Sequence, residues 1–246
     1  MNGGVVVIGA GGGIGSAVCR RLSAAGVPVV ATGRDSARLE AVAGETGAVA
    51  VPGDAVTLGH VEACVKMCEE RFGALAGAVN CAGSLILKPA HLTTPEEFAS
   101  TISTNLVTAF NLVRAAAQAM SGGVGAGGSI VLCSSAVARH GFANHEAISA
   151  AKAGVIGLAL SAAATYAGKG VRINCVSPGL TRTPLTERLC ANEASLKAST
   201  AMHALGRIGE GDDVAAMIAF LLSDEARQIT GQVIAVDGGL GSLRPR

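Results

Sequence analysis

The glycine residues near the start of the chain have the type and spacing needed to bind a phosphate group. Residues 5–15 read VVVIGAGGGIG, in which four β-favouring residues run directly into Gly9, Gly11, Gly13 and Gly15. A side chain at these positions would block the turn or keep a phosphate from the backbone N–H groups. Because a helix-like pattern follows from Ser16, the segment predicts a strand, a tight turn and a helix N-terminus that face a pyrophosphate. A phosphate-free turn is the alternative, since many strand-to-helix turns contain glycine.

The composition narrows the class of protein and its partners. With 246 residues, half of them apolar, the chain can bury a substantial core in one α/β domain. The net charge is +1 and the basic residues are scattered, so nucleic acid is not an expected partner. Seven cysteines lie mostly in apolar segments, as buried thiols in a reducing cytosol would. Cys64 and Cys68 could face the same way on a helix, but a buried pair of thiols is the favoured interpretation and we expect no metal site.

The location of the protein is predicted from its apolar segments. The first predicted strand starts within five residues of Met1, which leaves no room for a targeting segment. The uncharged run Ala153–Gly168 is Ala-rich, short of a membrane span and flanked by Lys152 and Lys169. We therefore expect a cytoplasmic protein without a membrane partner, in which this run is a core helix.

Strands and helices alternate along the whole chain. This alternation predicts a doubly wound parallel sheet of about seven strands in a single α/β domain over residues 1–246. A capping box at Thr94 and Glu97, with Pro95 at the first helical position, marks one helix start, and Asn105 marks a break in that helix. Residues 183–206 predict a helical substrate lid or an oligomer contact. The predicted strands are Val5–Gly9, Val27–Gly33, Ala48–Pro52, Gly77–Asn80, Ser129–Ser134, Val171–Val176 and Gln232–Val236; the predicted helices are Gly13–Ala25, Ser36–Glu45, Thr57–Phe72, Pro95–Met120, Glu146–Ala167 and Asp212–Ser223.

Several further motifs, in the same order along the chain, resemble the short-chain dehydrogenase/reductase (SDR) family. They are Gly9-x-x-x-Gly13-Ile14-Gly15, Asp54-Ala55, Asn80-Cys81-Ala82-Gly83, Asn105 ahead of Leu106 and Phe110, Ser134-Ser135, Pro178-Gly179-Leu180-Thr181-Arg182-Thr183, and Gly231-Gln232 with Asp237-Gly238-Gly239. The chain departs from the family at Ile8, where Thr is usual, and at Cys81, which replaces an Asn. The resemblance covers essentially the whole chain and implies a Rossmann fold and an NAD(P)(H)-dependent oxidoreductase.

The resemblance also implies which residues bind the dinucleotide. Ligands of parallel sheets bind beyond the carboxyl ends of the strands, and most of the matching motifs lie at such ends. The expected cofactor-binding residues are Gly9, Gly11, Gly13, Ile14, Gly15, Arg34, Asp54, Ala55, Asn80, Ala82, Gly83, Lys152, Pro178, Gly179, Leu180, Thr181 and Thr183.

The end of the second strand predicts which nicotinamide dinucleotide is preferred. An acidic residue there would bind the ribose 2′-hydroxyl of NAD, but the strand ends at Gly33 and is followed by Arg34. A basic side chain at this place favours the 2′-phosphate of NADP. The glycine turn itself offers Gly11 and Gly12 where NADP-preferring relatives often have a basic residue, so NAD remains possible.

The catalytic residues that the resemblance implies are incomplete. The family uses Asn, Ser, Tyr and Lys, and here Asn105, Ser135 and Lys152 match. The Tyr position, four residues before Lys152, is Ile148, which has no proton to give. The only tyrosine, Tyr166, lies fourteen residues after Lys152, about 21 Å away on a continuous helix.

Three interpretations remain for the missing acid. In the first, His145 replaces the tyrosine, because two helical turns place it on roughly the same face as Lys152 and because imidazole suits proton transfer near neutral pH. Glu146 is a weaker candidate for this role. The alternative for His145 is a structural histidine without a catalytic role. In the second, the chain is a catalytically impaired, dinucleotide-binding or regulatory subunit. In the third, Ser135 and water suffice. A non-redox lyase or isomerase on the same fold is a further alternative.

The residues that follow the fourth, fifth and sixth strands indicate the class of substrate, and the family resemblance indicates the assembly. Mostly apolar residues follow the fourth, fifth and sixth strands, which favours a neutral carbonyl or alcohol substrate. They are Leu85, Ile86, Leu87, Val137, His140, Phe142, Leu180, Leu185 and Met202. The family resemblance implies a homotetramer or homodimer in which the helices after Asn105 and after Glu146 pair across an interface.

Overall fold

Seven parallel strands form the central sheet of the protein. The computed structural model describes residues 2–122 and 127–243. Over these residues the strand order is β3-β2-β1-β4-β5-β6-β9, and each neighbouring pair is parallel. The strands are β1 Gly4–Ile8, β2 Val29–Gly33, β3 Val49–Pro52, β4 Leu75–Asn80, β5 Gly128–Cys133, β6 Val171–Pro178 and β9 Val233–Val236. The predicted α/β fold with a doubly wound sheet is therefore confirmed.

Helices cover both faces of this sheet. One core cluster joins Val6 and Ile8 of β1 to the helices α3, α5 and α6, and the other joins Val5 and Val7 to α1, α2 and α9. Successive residues of one strand thus enter opposite core clusters, and the strands read as continuous apolar runs because both faces are buried. The helices are α1 Gly13–Ala24, α2 Ser36–Thr46, α3 Leu58–Phe72, α4 Pro95–Ile102, α5 Thr108–Met120, α6 Glu146–Tyr166, α7 Glu187–Ala191, α8 Glu193–Met202 and α9 Gly211–Leu222.

The predicted helix Pro95–Met120 is interrupted where Asn105 indicated a break. A π-helical segment, Ser103–Val107, separates α4 from α5. The Asn105 side chain donates to the Thr101 carbonyl, at 2.9 Å, one turn back along the chain. Such a side-chain bond competes with the backbone ladder, and π-bulges often occur at functional sites. The capping box of Thr94 and Glu97 is present at the start of α4, as predicted.

Some predicted boundaries shift for local reasons. The second strand starts at Val29 rather than Val27, because the Val27 N–H bonds the Leu22 carbonyl and closes the end of α1. The sixth strand extends to Pro178, beyond the predicted Val176, because β9 pairs along it as far as Val236. The segment 183–206 is helical, in α7 and α8, and its role as a lid stays a prediction. A short two-stranded pair, β7 Thr181–Arg182 and β8 Gly209–Glu210, was not predicted and ties this segment to the start of α9.

The apolar helix α6 belongs to the core. Among the described residues, the stretch Glu146–Lys169 passes a membrane-span test by length and composition, with a mean hydropathy of 1.6. Core helices of soluble proteins pass the same test. Its buried residues, which include Ala151, Val155 and Ala159, pack on β6. The prediction of a core helix over Ala153–Gly168 agrees with this packing.

The strand order fixes where a ligand binds. Chain order reverses on either side of β1, because β2 lies to one side and β4 to the other. In open parallel sheets a crevice forms beyond the carboxyl ends of the strands at such a reversal. The loops that follow Ile8 and Asn80 border this crevice.

Candidate functional site

The glycine turn after β1 leaves no space for side chains. Gly9 has a φ of +76°, and a Cβ there would lie 2.7 Å from the Ala82 backbone nitrogen. A Cβ on Gly15 would collide with the Gly9 carbonyl, so the turn closes directly on the first turn of α1. The Thr183 side chain covers the turn, since its Cγ2 lies 2.7 Å from the Cβ position of Gly13. The helix N-terminus and the glycine backbone therefore form a cradle for an anionic group under Thr183.

A groove of about 510 Å³ runs from this turn across the carboxyl ends of β1, β2 and β4. It is long enough to pass from the glycine turn to Asp54 beyond β3, and its walls are mostly backbone and small side chains. The predicted cofactor residues that line it are Gly9, Gly11, Gly13, Ile14, Arg34, Asp54, Ala55, Ala82, Gly83 and Thr183.

Other predicted cofactor residues support the groove from behind. Asn80 is buried; its Oδ1 accepts from the Ala82 N–H at 2.9 Å, and its Nδ2 donates to Thr108 Oγ1 at 3.1 Å. These bonds hold the end of β4 in the bend that exposes the Ala82 backbone. Gly15 lies beneath the turn rather than in the groove wall.

The segment Pro178-Gly179-Leu180-Thr181 leaves the end of β6 beside the groove without lining it. The Gly179 N–H bonds the Val236 carbonyl at 3.2 Å, and Thr181 Oγ1 donates to the Gly179 carbonyl at 3.1 Å. These bonds turn the chain toward Thr183, which does line the groove.

A second arginine, Arg38, lies at the groove and was not predicted from the sequence. Arg38 lines it together with Arg34 and Asp35, and its Cβ lies 3.2 Å from the Cβ position of Gly11. Arg38 also pairs with Asp35 at 3.2 Å, while the Asp35 carboxylate caps α2 by accepting from the Arg38 N–H. The Asp35 cap followed by a basic residue in the first helical turn is the signal that could have found it.

Asn105 and Lys152 converge on Gly83 in the groove wall, although 47 residues separate them and neither side chain lines the groove itself. The point where a Cβ on Gly83 would sit lies 3.0 Å from Asn105 Oδ1 and 3.5 Å from Lys152 Nζ. The Asn105 side chain also bonds Ser84, donating to its Oγ at 3.0 Å and accepting from its N–H at 3.3 Å. The π-helical segment and the bend after β4 thus set the position of the Asn105 amide.

Lys152 is buried and its ammonium group has one protein acceptor. Its Nζ donates to the Cys133 carbonyl at 2.9 Å, and Ser134 Oγ donates to the Lys152 carbonyl at 2.9 Å. Desolvation lowers the pKa of Lys152, and the neighbouring sulfurs of Cys133, Cys81 and Cys175 oppose this shift. A buried amine with spare donors is suited to hold ribose hydroxyls or a proton relay.

The remaining catalytic positions differ in exposure. Ser135 follows β5, is partly exposed, and its Oγ accepts a long bond from the Val137 N–H at 3.4 Å. Ile148 lies one turn before Lys152 on α6 and is only 3% exposed. An apolar side chain therefore occupies the position at which the sequence predicted that the proton donor is missing.

His145 lies at the boundary of α6 rather than within it. It is the N-cap residue, and the helix begins at Glu146, so the predicted two-turn spacing to Lys152 holds only to the helix boundary. Its Nδ1 bonds the Ala143 carbonyl at 2.7 Å, and its ring packs against Phe142. This bond orients the imidazole, and a purely structural histidine would make the same bond.

A second cavity, of about 540 Å³, lies next to the loop after β5. His140, Phe142 and Met202, which were predicted to line a substrate pocket, contribute to its wall. Arg139, Leu240 and Leu243 line it as well and were not predicted. The C-terminal segment therefore closes this cavity opposite the β5 loop.

No group of three or more His, Cys, Asp or Glu side chains that could hold a metal ion occurs within residues 2–122 and 127–243.

The parallel sheet with helices on both faces and the groove beyond its strand ends define a Rossmann-type fold. A model of the protein family described as "Enoyl-(Acyl carrier protein) reductase" matches residues 9–241. The chain belongs to the short-chain dehydrogenase/reductase family, an oxidoreductase family.

Named relatives agree with this assignment over nearly the whole chain. The chain is 38% identical to an L-rhamnose 1-dehydrogenase (NAD(P)(+)) of Azotobacter vinelandii, covering 96% of this chain and 95% of that one. It is 33% identical to a 3-oxoacyl-[acyl-carrier-protein] reductase of Thermotoga maritima, covering 96% of both. A short-chain dehydrogenase/reductase structure from Mycobacterium ulcerans superposes with a TM-score of 0.93 at 32% identity, covering 100% of this chain and 92% of that one.

Proposed function

We propose that the protein is an NADP(H)-preferring oxidoreductase that acts on a neutral carbonyl or alcohol substrate. The observation that carries this proposal is the convergence of Asn105 and Lys152 at Gly83, in the wall of a groove that begins at the glycine turn. A binding protein without chemistry needs the glycine turn and can use Lys152 as a ribose contact, but it gains little from the buried Asn105 amide beside that lysine.

The preference for NADP rests on charge at the β2 end of the groove. Arg34 and Arg38 supply two positive charges there and Asp35 one negative charge, so a balance of +1 faces the position of a 2′-phosphate. The Asp35 carboxylate is engaged with Arg38 and with the α2 cap, so it is poorly placed to receive a ribose hydroxyl. The Arg38 stem rests against Gly11, which supports a basic residue here without one in the turn itself.

The proposed roles of the polar groups follow from their positions. The bound nicotinamide would supply or accept a hydride at the reacting carbon. We assign Lys152 to the nicotinamide ribose, Asn105 to a water in the proton path, and Ser135 to the substrate oxygen. His145 is proposed as the proton donor in place of the tyrosine, through Nε2 of the imidazolium, because Nδ1–H donates to the Ala143 carbonyl.

One observation favours a second candidate, a dinucleotide-binding subunit with little turnover. Ile148 is buried at the acid position and the Lys152 ammonium bonds the Cys133 carbonyl, so neither group directs a proton toward the substrate loop. Loss of a general acid typically costs about 10²–10⁴-fold in rate. A reductase that has lost its acid should therefore still turn over at a slow, measurable rate, whereas a dinucleotide-binding subunit should not.

Turnover with a panel of neutral ketones and aldehydes, followed by NADPH absorbance, tests the proposed function. We expect slow oxidation of NADPH that His145→Gln reduces by about 10²-fold, with the NADPH dissociation constant unchanged. The matched control His91→Gln, at an exposed position outside both cavities, should retain the parental rate. Tight NADPH binding without turnover would favour the subunit instead, and equal rates for parent and His145→Gln would remove His145 from the mechanism.

For the assembly we propose a cytoplasmic homotetramer, with a homodimer as the alternative, that binds small molecules rather than nucleic acid or membrane. Phe110 of α5 and Leu160 of α6 are 52% and 45% exposed, which is unusual for large apolar side chains on neighbouring helices. Leu106 packs against Gly154, so the two helices approach closely. Light scattering after gel filtration would contradict this by giving the mass of one chain, 24.2 kDa.

A further inference from the structure

Two cysteines meet at the floor of the groove, and the catalytic machinery does not use them. We propose that Cys81 and Cys133 are a modification site: a dithiol that a hydroperoxide oxidises to a disulfide, which weakens dinucleotide binding. The formation of the disulfide stands on the geometry alone. Its effect on the dinucleotide rests on the proposed function.

The strand register brings the two sulfurs together. Asn80 of β4 pairs with Leu132 of β5, and Cys81 and Cys133 follow these two residues directly. Their Sγ atoms lie 3.7 Å apart. Neighbouring strands are about 4.8 Å apart, which is within the roughly 4.4–6.8 Å between Cα atoms that a disulfide spans. A bond of about 2.05 Å therefore needs side-chain rotation and a small backbone movement, not a rearrangement of the sheet.

Access separates Cys81 from the other six cysteines. Cys81 is the one cysteine of the seven that is not buried, and it lines the groove, whereas Cys133 is buried directly behind it. Burial raises the pKa of Cys19, Cys68 and Cys175 to about 12, which keeps these thiols protonated and unreactive. A small oxidant that enters the groove therefore meets Cys81 first and reaches Cys133 past it.

The local electrostatics favour a thiolate in the pair. A hydrogen bond from the Cys81 thiol lowers the pKa of Cys133, burial opposes this, and the Lys152 ammonium adds to the lowering. The same bond raises the pKa of Cys81, so Cys133 is the thiol of the pair that loses its proton more readily. The thiolate is the species that attacks a peroxide.

The oxidation proceeds in two balanced steps. The Cys133 thiolate attacks one peroxide oxygen and breaks the O–O bond, which gives a sulfenic acid and, after protonation, one water or alcohol. The Cys81 thiol, losing its proton, attacks the Cys133 sulfur and releases the sulfenic oxygen as water. The two sulfurs lose two electrons in all, and the peroxide takes them up. A dithiol reductant returns both electrons and restores the thiols.

The disulfide would reshape two parts of the groove at once. The Cys81 carbonyl carbon lies 2.8 Å from the Cβ position of Gly9, so a shift of Cys81 alters the packing under the glycine turn. The Cys133 carbonyl accepts the Lys152 ammonium, so a shift of Cys133 moves the proposed ribose contact. We expect the oxidised protein to bind NADPH about tenfold more weakly, which corresponds to about 1.4 kcal/mol.

The test uses the reduced full-length protein and a few equivalents of hydrogen peroxide. After alkylation and digestion, mass spectrometry should detect a Cys81–Cys133 linked peptide before oxidation of any other cysteine. Dithiothreitol should remove the link. Fluorescence titration of the same samples should show the weaker NADPH binding, reversed by the reductant.

Variants separate the possible outcomes. Cys133→Ser removes the attacking thiolate, so it should form no link and keep its NADPH affinity after peroxide, whereas Cys190→Ser, in α7, should behave as the parent. If the variants fail to fold, the order of oxidation in the parent still decides. The inference is overturned if the linked peptide is absent, or if it appears no sooner than oxidation at other cysteines. A link without a change in NADPH affinity refutes the binding effect, and no NADPH binding in either state refutes the proposed function instead.

Discussion

The first half of the sheet and the second half present different kinds of surface at their strand ends. From β1 to β4, the chain has the glycine turn, the Asn80 bend and a groove walled largely by backbone. From β5 to α6, it has the side chains of Ser135 and Lys152, with the buried Ile148 one turn before the lysine and His145 at the boundary of α6. Nucleotide binding depends on backbone shape, which the strand ends and glycines set together. Proton transfer depends on one side chain, and one substitution is enough to change it.

The largest effect is expected in the first half, from Gly9→Ala. A side chain at a φ of +76° with backbone at 2.7 Å should cost about 3 kcal/mol in the free energy of unfolding, roughly 6–12 °C in Tm. NADPH binding should be lost at millimolar concentration. Gly44→Ala is the matched control, because its Cβ meets open space in a helix interior and should stabilise by up to about 1 kcal/mol. Calorimetry measures the stability of the two variants, and titration measures their NADPH affinity. A Gly9→Ala variant with the stability and NADPH affinity of the parent would refute the steric account of the turn.

In the second half, Ile148→Tyr should restore an acid one turn before Lys152. We expect kcat to rise by about 10²-fold, the lower end for a positioned acid, because His145 already supplies part of the proton transfer in our proposal. Overpacking at this buried position should cost about 1–3 kcal/mol of stability. Ile148→Phe adds the ring without the hydroxyl and should not raise kcat. An unchanged kcat in a folded Tyr variant would mean that the second half has lost more than its acid.

Removing the arginines at the β2 end of the groove tests the proposed preference for NADP over NAD. Arg34→Ala combined with Arg38→Ala should weaken NADPH binding by about tenfold and leave NADH binding within about twofold, because only NADPH carries the 2′-phosphate. Both side chains are exposed, so solvent limits the effect. Arg188→Ala, an exposed arginine in α7, is the control. Equal losses for NADPH and NADH would contradict the assignment of these arginines to the 2′-phosphate.

The smallest effect is expected from Lys152→Met, which removes the buried charge of the second half. Burial lowers the pKa of Lys152 below its ordinary value of 10.5, so between the two values the unfolded chain binds more protons than the folded one. The parent therefore gains stability as pH rises through this window, and the variant lacks that gain. At neutral pH we expect the variant to be about 1 kcal/mol more stable to unfolding than the parent, which raises its Tm by roughly 2–4 °C. This difference in Tm should decrease as the pH rises toward 10.5. Melting curves of both proteins against pH would contradict this if the advantage grew with pH.

Much of the site could be predicted from the chain because its determinants are local. The strand-to-helix turn, the capping box at Thr94 and the break at Asn105 depend on residues within one or two turns of each other. Arg38 could have been found in the same way, from its place after the Asp35 cap. The orientation of His145 could not, although its partner Ala143 is only two residues away, because the loop ahead of α6 has no periodic pattern that specifies its backbone conformation.

The amino-acid sequence by itself determined the glycine cradle, the alternation that builds a parallel sheet, and the absence of a tyrosine before Lys152. Backbone sterics and side-chain periodicity act over a few residues, so these features are readable from the chain alone. Only the tertiary structure decided that Asn105 and Lys152 meet at Gly83, and that Cys81 and Cys133 face each other. Such contacts join residues about 50 positions apart, and they depend on strand register and side-chain rotamers that only the packed core selects.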